Sequence, residues 1–473
     1  MGTLPSGFIS RAAGIVGGPF VFQDASARET YGTDGTKQGS SADLVVLPGS
    51  TQEVAQLAKL CNDERVPIVA RGAGTGYTGG AVPTRGGVVL SLERMNRILE
   101  IDPLNLLARV QPNVITGDLQ DAVEKVGLFY PPDPASLRQS ALGGNVAECA
   151  GGPRAFKYGT TKRYVLALEA VLANGEIIHT GSKAVKNVVG YDLTQLLVGS
   201  EGTLAIITEI TLRLIPKPEA HATLLAEFAD ITHAVDAVTQ LIQRRVVPAA
   251  IELVDGSSLA ALAAHAGRPM ASPGTGAVLL VEVDGSHASV GPEILLVEDA
   301  CRAAKAFLLK RAASEAERDD LWQLRRELSP ALKKISSIKL NNDVVVPRGR
   351  IPELFALVKE IEQESGLSIA SFGHAGDGNI HVNIMIPDES TGQRVEGRAH
   401  TDAKARGERA VRRLFEGVVA LEGSISGEHG IGFTKAPYLG LELSREEIAL
   451  MKRLKAAFDP NGILNPGKIF PDG

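Results

Sequence analysis

A glycine-rich loop that follows a short apolar run is the feature that most constrains how this chain can fold. The stretch VPIVARGAGTGYTGGA spans residues 66–81 and contains the spacing G-x-G-x-x-G at Gly74, Gly76 and Gly79. In a nicotinamide dinucleotide site this spacing leads into a helix, but residues 81–87 read AVPTRGG, where proline and glycine disfavour a helix. Successive free N–H groups in such a loop can bind an anion without any helix. The loop therefore predicts a phosphate site outside the Rossmann geometry.

Length, charge and cysteine usage limit the class of protein. The 473 residues are enough for about two to four domains. A net charge of −6 without a long basic run argues against nucleic acid as the main ligand. Cys61, Cys149 and Cys301 lack C-x-x-C spacing, which fits a reducing compartment and excludes a thiolate metal cage.

The apolar runs are too short for a membrane protein. None approaches the about 18 residues that span a bilayer, and we find no export signal near the start of the sequence. The sequence therefore predicts a cytoplasmic protein without a membrane span. Attachment to the inner face of the membrane through a partner stays open.

The periodicity of the chain predicts its order of elements. The runs LVVLPGS, TQEVAQLAKLCNDERV and VPIVARG predict strand, helix and strand, with the two strands paired in parallel. Residues 1–40 read as loop-rich, and Asn174-Gly175 predicts a hairpin. After a change of composition near residues 216–218 the pattern is α+β, with helices expected at about 291–314 and, as one long helix, at 315–334.

A second segment of small residues predicts a surface for a flat ligand. Residues 140–152 read SALGGNVAECAGG and are followed by KYG at 157–159. Without bulky side chains the main chain can lie directly against a ligand. Upstream, YPPDP at residues 130–134 is rigid enough to form a wall of the same site.

Histidines and a carboxylate in two glycine-rich loops predict a metal site. In SFGHAGDGNIHVNIMI, His374 and His381 flank a predicted hairpin turn, and Asn383 lies on the same strand face as His381. Glu428 and His429 are adjacent in SGEHGIG. Two imidazoles and one carboxylate leave a divalent metal open to substrate, as in catalytic sites.

A predicted helix presents a candidate site for a carboxylate. Arg325 and Ser329 are four residues apart in LWQLRRELS and share one helix face. An arginine presented in this way can bind a substrate carboxylate through two hydrogen bonds. A solvated, charged helix face is the alternative.

Eight motifs in order carry a resemblance to a known family. They are RGAGTGYTGGA, PPDPAS, GGNVAECAGG, KYG, VVGYDLTQLLVGSEGTLAIIT, GHAGDGNIH, SGEHGIG and FDPNGILNPGK. With them the chain resembles the FAD-linked oxidases of the vanillyl-alcohol-oxidase superfamily. More narrowly, it resembles the group of glycolate oxidase flavoprotein subunits, D-lactate dehydrogenases and D-2-hydroxyglutarate dehydrogenases.

The resemblance implies an α+β fold. It consists of a two-subdomain FAD-binding domain of the vanillyl-alcohol-oxidase (PCMH) type, an α+β substrate cap domain, and a C-terminal segment that returns to the flavin domain. The expected ranges are 1–37 for an N-terminal arm, 38–217 for the FAD-binding domain, 218–422 for the cap domain and 423–473 for the segment that completes the active site.

The resemblance also implies the residues of each site. FAD would be bound by Arg71, Gly72, Gly74, Thr75, Gly76, Gly79, Gly80, Pro132, Ser140, Gly143, Gly144, Asn145, Ala147, Gly151, Gly152, Tyr158, Gly159, Glu201, Gly202, Ile206, Ile207 and Asn465. A divalent metal (zinc, manganese or iron) would be bound by His374, His381 and Glu428. The 2-hydroxyacid would be held by Arg325, Ser329 and Asn383, with His429 as the base.

The implied activity is the FAD-dependent oxidation of a small 2-hydroxyacid to the 2-oxoacid. Hydride would pass from the α-carbon to flavin N5 with help from the metal and a histidine. The electrons would leave to another protein, such as an iron–sulfur subunit or a second flavoprotein subunit, or to a soluble acceptor. In this chain Asn341 replaces a lysine of the hydroxyglutarate enzymes, which favours glycolate or D-lactate, and Cys149 replaces an asparagine near the flavin.

Three alternatives stay open. The first is an enzyme of the D-2-hydroxyglutarate dehydrogenase type, which substrate profiling would separate. The second is a flavin-free metallohydrolase, which would lack visible flavin absorption. The third is a non-catalytic subunit, which would show no turnover with an artificial dye.

Overall fold

The computed structural model of the chain describes residues 4–36, 39–336, 338–387 and 398–470. The helices are α1 Phe8–Val16, α2 Ala25–Tyr31, α3 Thr51–Glu64, α4 Thr116–Glu124, α5 Leu142–Glu148, α6 Ala155–Tyr158, α7 Leu193–Leu197, α8 Ile231–Gln243, α9 Gly256–Ala266, α10 His287–Ala303, α11 Glu315–Arg326, α12 Leu328–Ile335, α13 Ile351–Ser365, α14 Arg398–Ala420, α15 Leu439–Glu442 and α16 Arg445–Phe458. The strands are β1 Val21–Phe22, β2 Leu44–Val46, β3 Ile68–Arg71, β4 Val88–Ser91, β5 Ile98–Asp102, β6 Leu107–Val110, β7 Leu128–Phe129, β8 Val165–Val171, β9 Ile177–Gly181, β10 Ile206–Arg213, β11 Ile215–Pro216, β12 Ala220–Phe228, β13 Ala250–Asp255, β14 Ala277–Gly285, β15 Leu308–Arg311, β16 Ile338–Val345, β17 Ile369–His374 and β18 Asn379–Ile386.

The chain divides into two compact units. Unit 1 contains Met1–Gly151, Gly159–Lys217 and Glu428–Gly473, and unit 2 contains Gly152–Tyr158 and Pro218–Gly427. The domain ranges expected from the sequence stay a prediction.

The first sheet of unit 1 leads into the glycine loop. Its order is β1-β2-β4-β3, in which β4 is parallel to both β2 and β3. The predicted direct pairing of β2 with β3 is therefore wrong, because β4 lies between them. All four residues of β4 are buried, and a strand that is buried on both faces belongs in the centre of a parallel sheet.

The N-terminal residues are not loop-rich, contrary to the prediction. Helix α1 buries Phe8, Ala12 and Val16 in the same apolar cluster as residues of α3. The spacing of four residues places these side chains on one helix face. Two glycines directly after the helix hide this short pattern in the sequence.

The second sheet of unit 1 is antiparallel, in the order β5-β6-β10-β8-β9. The hairpin predicted at Asn174-Gly175 is confirmed, because β8 and β9 flank it and pair with each other. The end of the chain also joins unit 1. The Ile68 N–H donates to the carbonyl of Ile463, and the Asn465 N–H donates to the carbonyl of Ile68. The C-terminal segment thus lies along β3, the strand that enters the glycine loop.

Unit 2 is built on a seven-stranded antiparallel sheet. The strand order is β15-β12-β14-β13-β17-β18-β16, and the hairpin predicted between the two histidines is confirmed as β17 and β18. Helices α9, α11 and α12 share an apolar cluster with one face of this sheet.

Two helix predictions in unit 2 are wrong. The helix expected at 291–314 ends at Ala303, because Lys305 takes a left-handed φ of 67°, and Leu308–Arg311 forms an edge strand instead. The long helix expected at 315–334 is two helices, with Glu327 between them. Among the described helices, none is both long and apolar enough to cross a membrane.

Candidate active site

The glycine loop of unit 1 presents a row of main-chain N–H groups. The N–H groups of residues 73–76 donate to none of the described residues. A Cβ atom on Gly76 would meet no atom within 4 Å, whereas one on Gly79 would lie 1.9 Å from the ring of Phe433. Gly79 also has a φ of 83°. The loop is fixed by packing at Gly79 and open at Gly76, so its main-chain N–H groups are accessible to an anion.

Arg71, which also belongs to unit 1, supports the glycine loop through its guanidinium group. Its Nη1 donates to the Thr33 carbonyl at 2.5 Å, and a Cβ on Gly74 would lie 2.1 Å from its guanidinium group. Asp34 accepts the Gly79 N–H at 2.8 Å. Burial lowers the pKa of Arg71, and the nearby Asp34 charge opposes that effect. A direct contact of Arg71 with FAD stays a prediction.

The small-residue segment lies beside the glycine loop. A Cβ on Gly72 would be 3.7 Å from the Gly144 N–H nitrogen, and a Cβ on Gly144 would meet nothing within 4 Å. The Asn145 amide on helix α5 donates to the Thr116 hydroxyl at 2.6 Å. The Ser140 hydroxyl lies 3.3 Å from the same Thr116 hydroxyl. Helix α5 therefore begins in a buried polar cluster next to the loop.

A cavity of about 420 Å³ opens next to Gly72. It is lined by Asn96, Ile98, Asn113, Val114, Ile115 and Asp118. The buried Oδ1 of Asn113 has no hydrogen-bond partner among the described residues, and a Cβ on Gly72 would be 3.9 Å from it. Because buried polar atoms are normally satisfied, this orphaned acceptor fits a ligand in the cavity.

Glu201 and Asn465 connect three predicted motifs in unit 1. The buried Glu201 carboxylate accepts the N–H groups of Ile431 and Gly432 at 2.7 Å each. The Asn465 amide donates to the carbonyls of Gly80 and Glu201 at 2.8 and 2.7 Å. Burial raises the pKa of Glu201, and the two N–H groups oppose that effect. The glycine loop, residues 200–203 (SEGT) and the C-terminal segment at Asn465 thus share one location.

His429 lies on the glycine loop. Its ring stacks on that of Tyr77 at 5.5 Å between centroids, and its carbonyl accepts the Thr78 hydroxyl at 2.8 Å. The Glu428 carboxylate is 3.9 Å from the His429 Nε2. A Cβ on Gly151 would lie 2.7 Å from the Glu428 carboxylate, so a side chain there would displace that carboxylate.

The other predicted FAD residues fall into two groups. Those in unit 1 include Ile206, which is buried in the apolar core, and Ala147, whose carbonyl accepts the Glu201 N–H. Further members of this group are Thr75, Pro132, Gly143, Gly159, Gly202 and Ile207. Gly152 and Tyr158 belong to unit 2. The Tyr158 hydroxyl donates to Asp284 at 2.7 Å, so its contact with FAD stays a prediction.

Unit 2 brings the two predicted metal-binding imidazoles together. The rings of His374 on β17 and His381 on β18 have centroids 5.3 Å apart. A ring nitrogen of His374 lies within 4.8 Å of a ring nitrogen of His381. Both residues are at most 5% exposed. This spacing lets one cation bind both rings.

Asparagines extend the same face of the sheet. Asn383 lies opposite Asn341 across β18 and β16. The Asn383 amide donates to the carbonyls of Ala370 and His381. The Oδ1 atoms of both asparagines are buried and have no partner among the described residues. Two orphaned acceptors next to the imidazoles indicate a polar ligand.

The structure adds Glu252, which the sequence reasoning missed. Its carboxylate is fully buried on β13, 2.5 Å from His374 Nδ1, and pairs with Arg325 Nε. Burial would raise the pKa of Glu252, but the charges of His374 and Arg325 lower it to about 2. A glutamate at the centre of AAIELVD, a strand that is otherwise apolar up to its last residue, was the available signal.

Lys339 is a second residue that sequence reasoning missed. It lies on β16, on the same face as Asn341 two residues later. Its Nζ donates to the Ser329 hydroxyl at 3.2 Å, and it forms no ion pair within the described part of the chain. Burial, together with the Lys333 charge, lowers the pKa of Lys339 to about 8.

Comparison with known families decides the class of the chain. A model described as "FAD linked oxidases, C-terminal domain" matches residues 217–469, and one described as "FAD binding domain" matches residues 42–181. The chain belongs to the FAD-linked oxidases. The expected family and the binding of FAD are confirmed, and the alternative of a flavin-free metallohydrolase is wrong.

Curated relatives of this FAD-linked oxidase span most of its length. It is 45% identical to the glycolate oxidase subunit GlcD of Bacillus subtilis, over 96% of this chain and 95% of that protein. It is 37% identical to a D-lactate dehydrogenase of Anaerostipes hadrus, over 90% and 89%. A D-2-hydroxyglutarate dehydrogenase of Stutzerimonas stutzeri is 34% identical, over 95% and 96%.

Solved structures agree on the fold. p-Cresol methylhydroxylase with bound substrate has a TM-score of 0.81 at 19% identity, covering 99% of this chain and 98% of that one. A 4-ethylphenol oxidase from Gulosibacter chungangensis has a TM-score of 0.78 at 21% identity, covering 99% of each chain. The expected α+β fold of the vanillyl-alcohol-oxidase (PCMH) type is confirmed.

Proposed function

We propose that this FAD-linked oxidase converts a small 2-hydroxyacid, such as glycolate or D-lactate, to the 2-oxoacid. The polar sheet face of unit 2 carries this proposal, because it joins two imidazoles, an arginine and two unsatisfied amide oxygens in a buried setting. The names of the curated relatives support the same chemistry.

Residues of unit 1 fit FAD. The open N–H groups at residues 73–76 fit its pyrophosphate, and the cavity beside Gly72 fits another part of the cofactor. In this proposal Gly76, Gly144 and Asn145 contact FAD directly, whereas Glu201 and Asn465 hold the loops that surround it.

The acid would be held by residues of unit 2. The Arg325 Nη groups donate to none of the described residues, so they are available to a carboxylate. Ser329 and Asn383 would orient the same molecule. His429 would accept the hydroxyl proton, as a positioned imidazole does in general base catalysis. When bound, FAD supplies the acceptor for the two electrons of the oxidation.

A divalent metal is the second proposed cofactor, with His374, His381 and Glu428 as its ligands. Two buried imidazoles and a carboxylate suit zinc, manganese or iron. Glu428 directly follows Gly427, whose N–H donates to the Asp343 carboxylate at 3.0 Å. When bound, the metal would lower the pKa of the substrate hydroxyl. His381→Ala should lose the metal and keep FAD, and unchanged metal content would contradict this assignment.

Reduction of the bound flavin tests the proposed activity. Purified protein is mixed without oxygen with D- and L-forms of lactate, with glycolate and with D-2-hydroxyglutarate. We expect at least one 2-hydroxyacid to bleach the visible flavin band and to form the matching 2-oxoacid. A flavin that dithionite reduces but no 2-hydroxyacid reduces would contradict the proposal, and it would favour a non-catalytic subunit.

Lys339 favours a second candidate, a D-2-hydroxyglutarate dehydrogenase. Its amine is on the same sheet face as Asn341. Asn341 is the position at which the sequence suggested that a lysine of the hydroxyglutarate enzymes had been lost. A second carboxylate could pair with this amine. Lys339→Met should then lower kcat/KM for D-2-hydroxyglutarate and leave that for glycolate or D-lactate nearly unchanged. Equal kcat/KM for the dicarboxylate in both proteins would exclude this candidate.

An electron-accepting partner belongs to the same proposal. Residues 185–191 of unit 1 expose apolar side chains, with Val188 and Tyr191 each 95% exposed, and such patches are typical of protein interfaces. An iron–sulfur or second flavoprotein subunit is the class of partner we propose. With an acid that reduces the flavin, turnover should be fast with an artificial dye and slow with oxygen. Equal rates would contradict the need for a partner.

A further inference from the structure

Glu252 is placed between two functional groups of unit 2 that are distant in sequence. Its Oε1 lies 2.5 Å from His374 Nδ1 on β17, and its Oε2 pairs with Arg325 Nε on α11. The carboxylate is 0% exposed. Each oxygen therefore serves a different partner, and the two partners are a proposed metal ligand and the proposed carboxylate-binding residue.

The contact with His374 has a consequence for its ring. A neutral imidazole has one N–H and one lone pair, and a hydrogen bond at one nitrogen decides which nitrogen carries the proton. Because Glu252 is a carboxylate acceptor, it holds the proton on Nδ1. The lone pair of His374 is then on Nε2, where it can bind a cation.

The contact with Arg325 fixes the guanidinium plane. The Nε is occupied by Glu252, and the guanidinium carbon lies 4.7 Å from the centre of the Phe372 ring. The two Nη groups remain as a fork of donors without partners among the described residues. A fork held in one plane binds a carboxylate with less loss of side-chain entropy than a mobile one.

We propose that Glu252 is the positioning residue that sets both the metal-binding tautomer of His374 and the orientation of Arg325. The inference rests on the proposed function, since it assigns roles to the same two residues. A structural role alone would stabilise the sheet and helix α11 without affecting metal affinity or KM. Those two quantities therefore separate the roles.

Glu282 provides a matched control. It lies on the neighbouring strand β14, is 2% exposed, and pairs with Arg318 of the same helix α11 at 2.7 Å. It also accepts the Trp322 indole N–H at 2.8 Å. Glu282→Gln thus disturbs a buried pair between sheet and helix that contains no histidine.

The experiment compares Glu252→Gln, Glu252→Asp and Glu282→Gln in the flavin-loaded protein. Zinc or manganese affinity is measured by competition with a chromogenic chelator, together with KM, flavin content and Tm. For Glu252→Gln we expect metal affinity to fall by about 10- to 100-fold, KM to rise and flavin content to stay constant. Glu252→Asp should recover part of the loss, and Glu282→Gln should lower Tm without changing metal affinity. Equal metal affinity in the two Gln variants would overturn the proposal.

A measurement on the unaltered protein covers the case in which Glu252→Gln fails to fold. In protein labelled with ¹⁵N at the histidine rings, with His374→Gln used for assignment, we expect the His374 proton on Nδ1. A proton on Nε2 in the metal-free protein would overturn the proposal. The metal affinity and the tautomer of His374 are both measured without turnover. A chain that oxidises no 2-hydroxyacid but shows this tautomer and this metal loss would contradict only the proposed function.

Discussion

His429 is held in place on more than one side within unit 1. Its ring stacks on Tyr77, its carbonyl accepts the Thr78 hydroxyl, and the neighbouring Ile431 and Gly432 N–H groups are bound by Glu201. A base held in this way needs little reorganisation to receive a proton. The arrangement also ties the proposed base to the loop that we propose to bind FAD.

The first prediction concerns His429→Ala. We expect the flavin content to stay normal, because the contacts of this loop to Glu201 and Thr78 use main-chain atoms. Turnover should fall by about 100- to 10,000-fold, the usual contribution of a general base. His233→Ala, which changes an imidazole at the start of α8, is the control and should keep full activity. Full activity of His429→Ala with the acid that reduces the wild-type flavin would remove this residue as the base.

Among the helices and strands, the sequence predicts mainly those features that short local patterns determine. The Asn174-Gly175 hairpin and the β17–β18 hairpin are found where expected, because turn residues and alternation act over a few positions. Helix α1 was not predicted from the sequence, because its stability comes from packing Phe8 and Val16 in the core shared with α3. The place of β4 between β2 and β3 likewise depends on contacts that no short pattern contains.

The glycine loop gives the second prediction, which separates folding from binding. A Cβ added to Gly76 would have no protein atom within 4 Å. Gly76 is also not among the residues with positive φ. Gly76→Ala should therefore leave the Tm of the FAD-free protein unchanged and weaken FAD binding. Equilibrium titration of FAD into the apoprotein measures this, and unchanged affinity would show that the loop does not touch the cofactor.

Gly79→Ala is the matched comparison for that experiment. Its left-handed φ of 83° costs an alanine about 1–2 kcal/mol, and its Cβ would overlap the Phe433 ring. We expect a lower Tm even without FAD. Phe433→Ala in the same chain should relieve the overlap but not the backbone cost. A Tm equal to wild type would mean that the loop does not hold this conformation.

Across the full chain, the candidate site residues of each unit come from segments that are distant in sequence. Motifs predicted the histidines, the arginine and the glycine loops, because their chemistry is visible in single residues and short spacings. Glu252 and Lys339 escaped prediction, since each is significant only through partners on other elements. A buried charge is recognised from its neighbours, and those depend on how helices and strands pack together rather than on the local sequence.

The final prediction concerns the chain end, which completes the core of unit 1. Ile463 and Leu464 are buried in an apolar cluster of this unit, and Asn465 donates to the carbonyls of Gly80 and Glu201. A chain that ends at Phe458 should therefore lose both bound FAD and the slow hydrogen exchange of β2, β3 and β4.

The strands β12 to β18 form the seven-stranded sheet of unit 2, and they should keep slow exchange in the shortened chain. Leu464→Ala provides the control, because it keeps the chain end but removes buried side-chain volume at a cost of about 2–5 kcal/mol. It should lower the Tm and retain FAD. Retention of FAD by the shortened chain would show that the last residues only cover the site, and a loss of slow exchange in both units would show that unit 2 depends on the chain end as well.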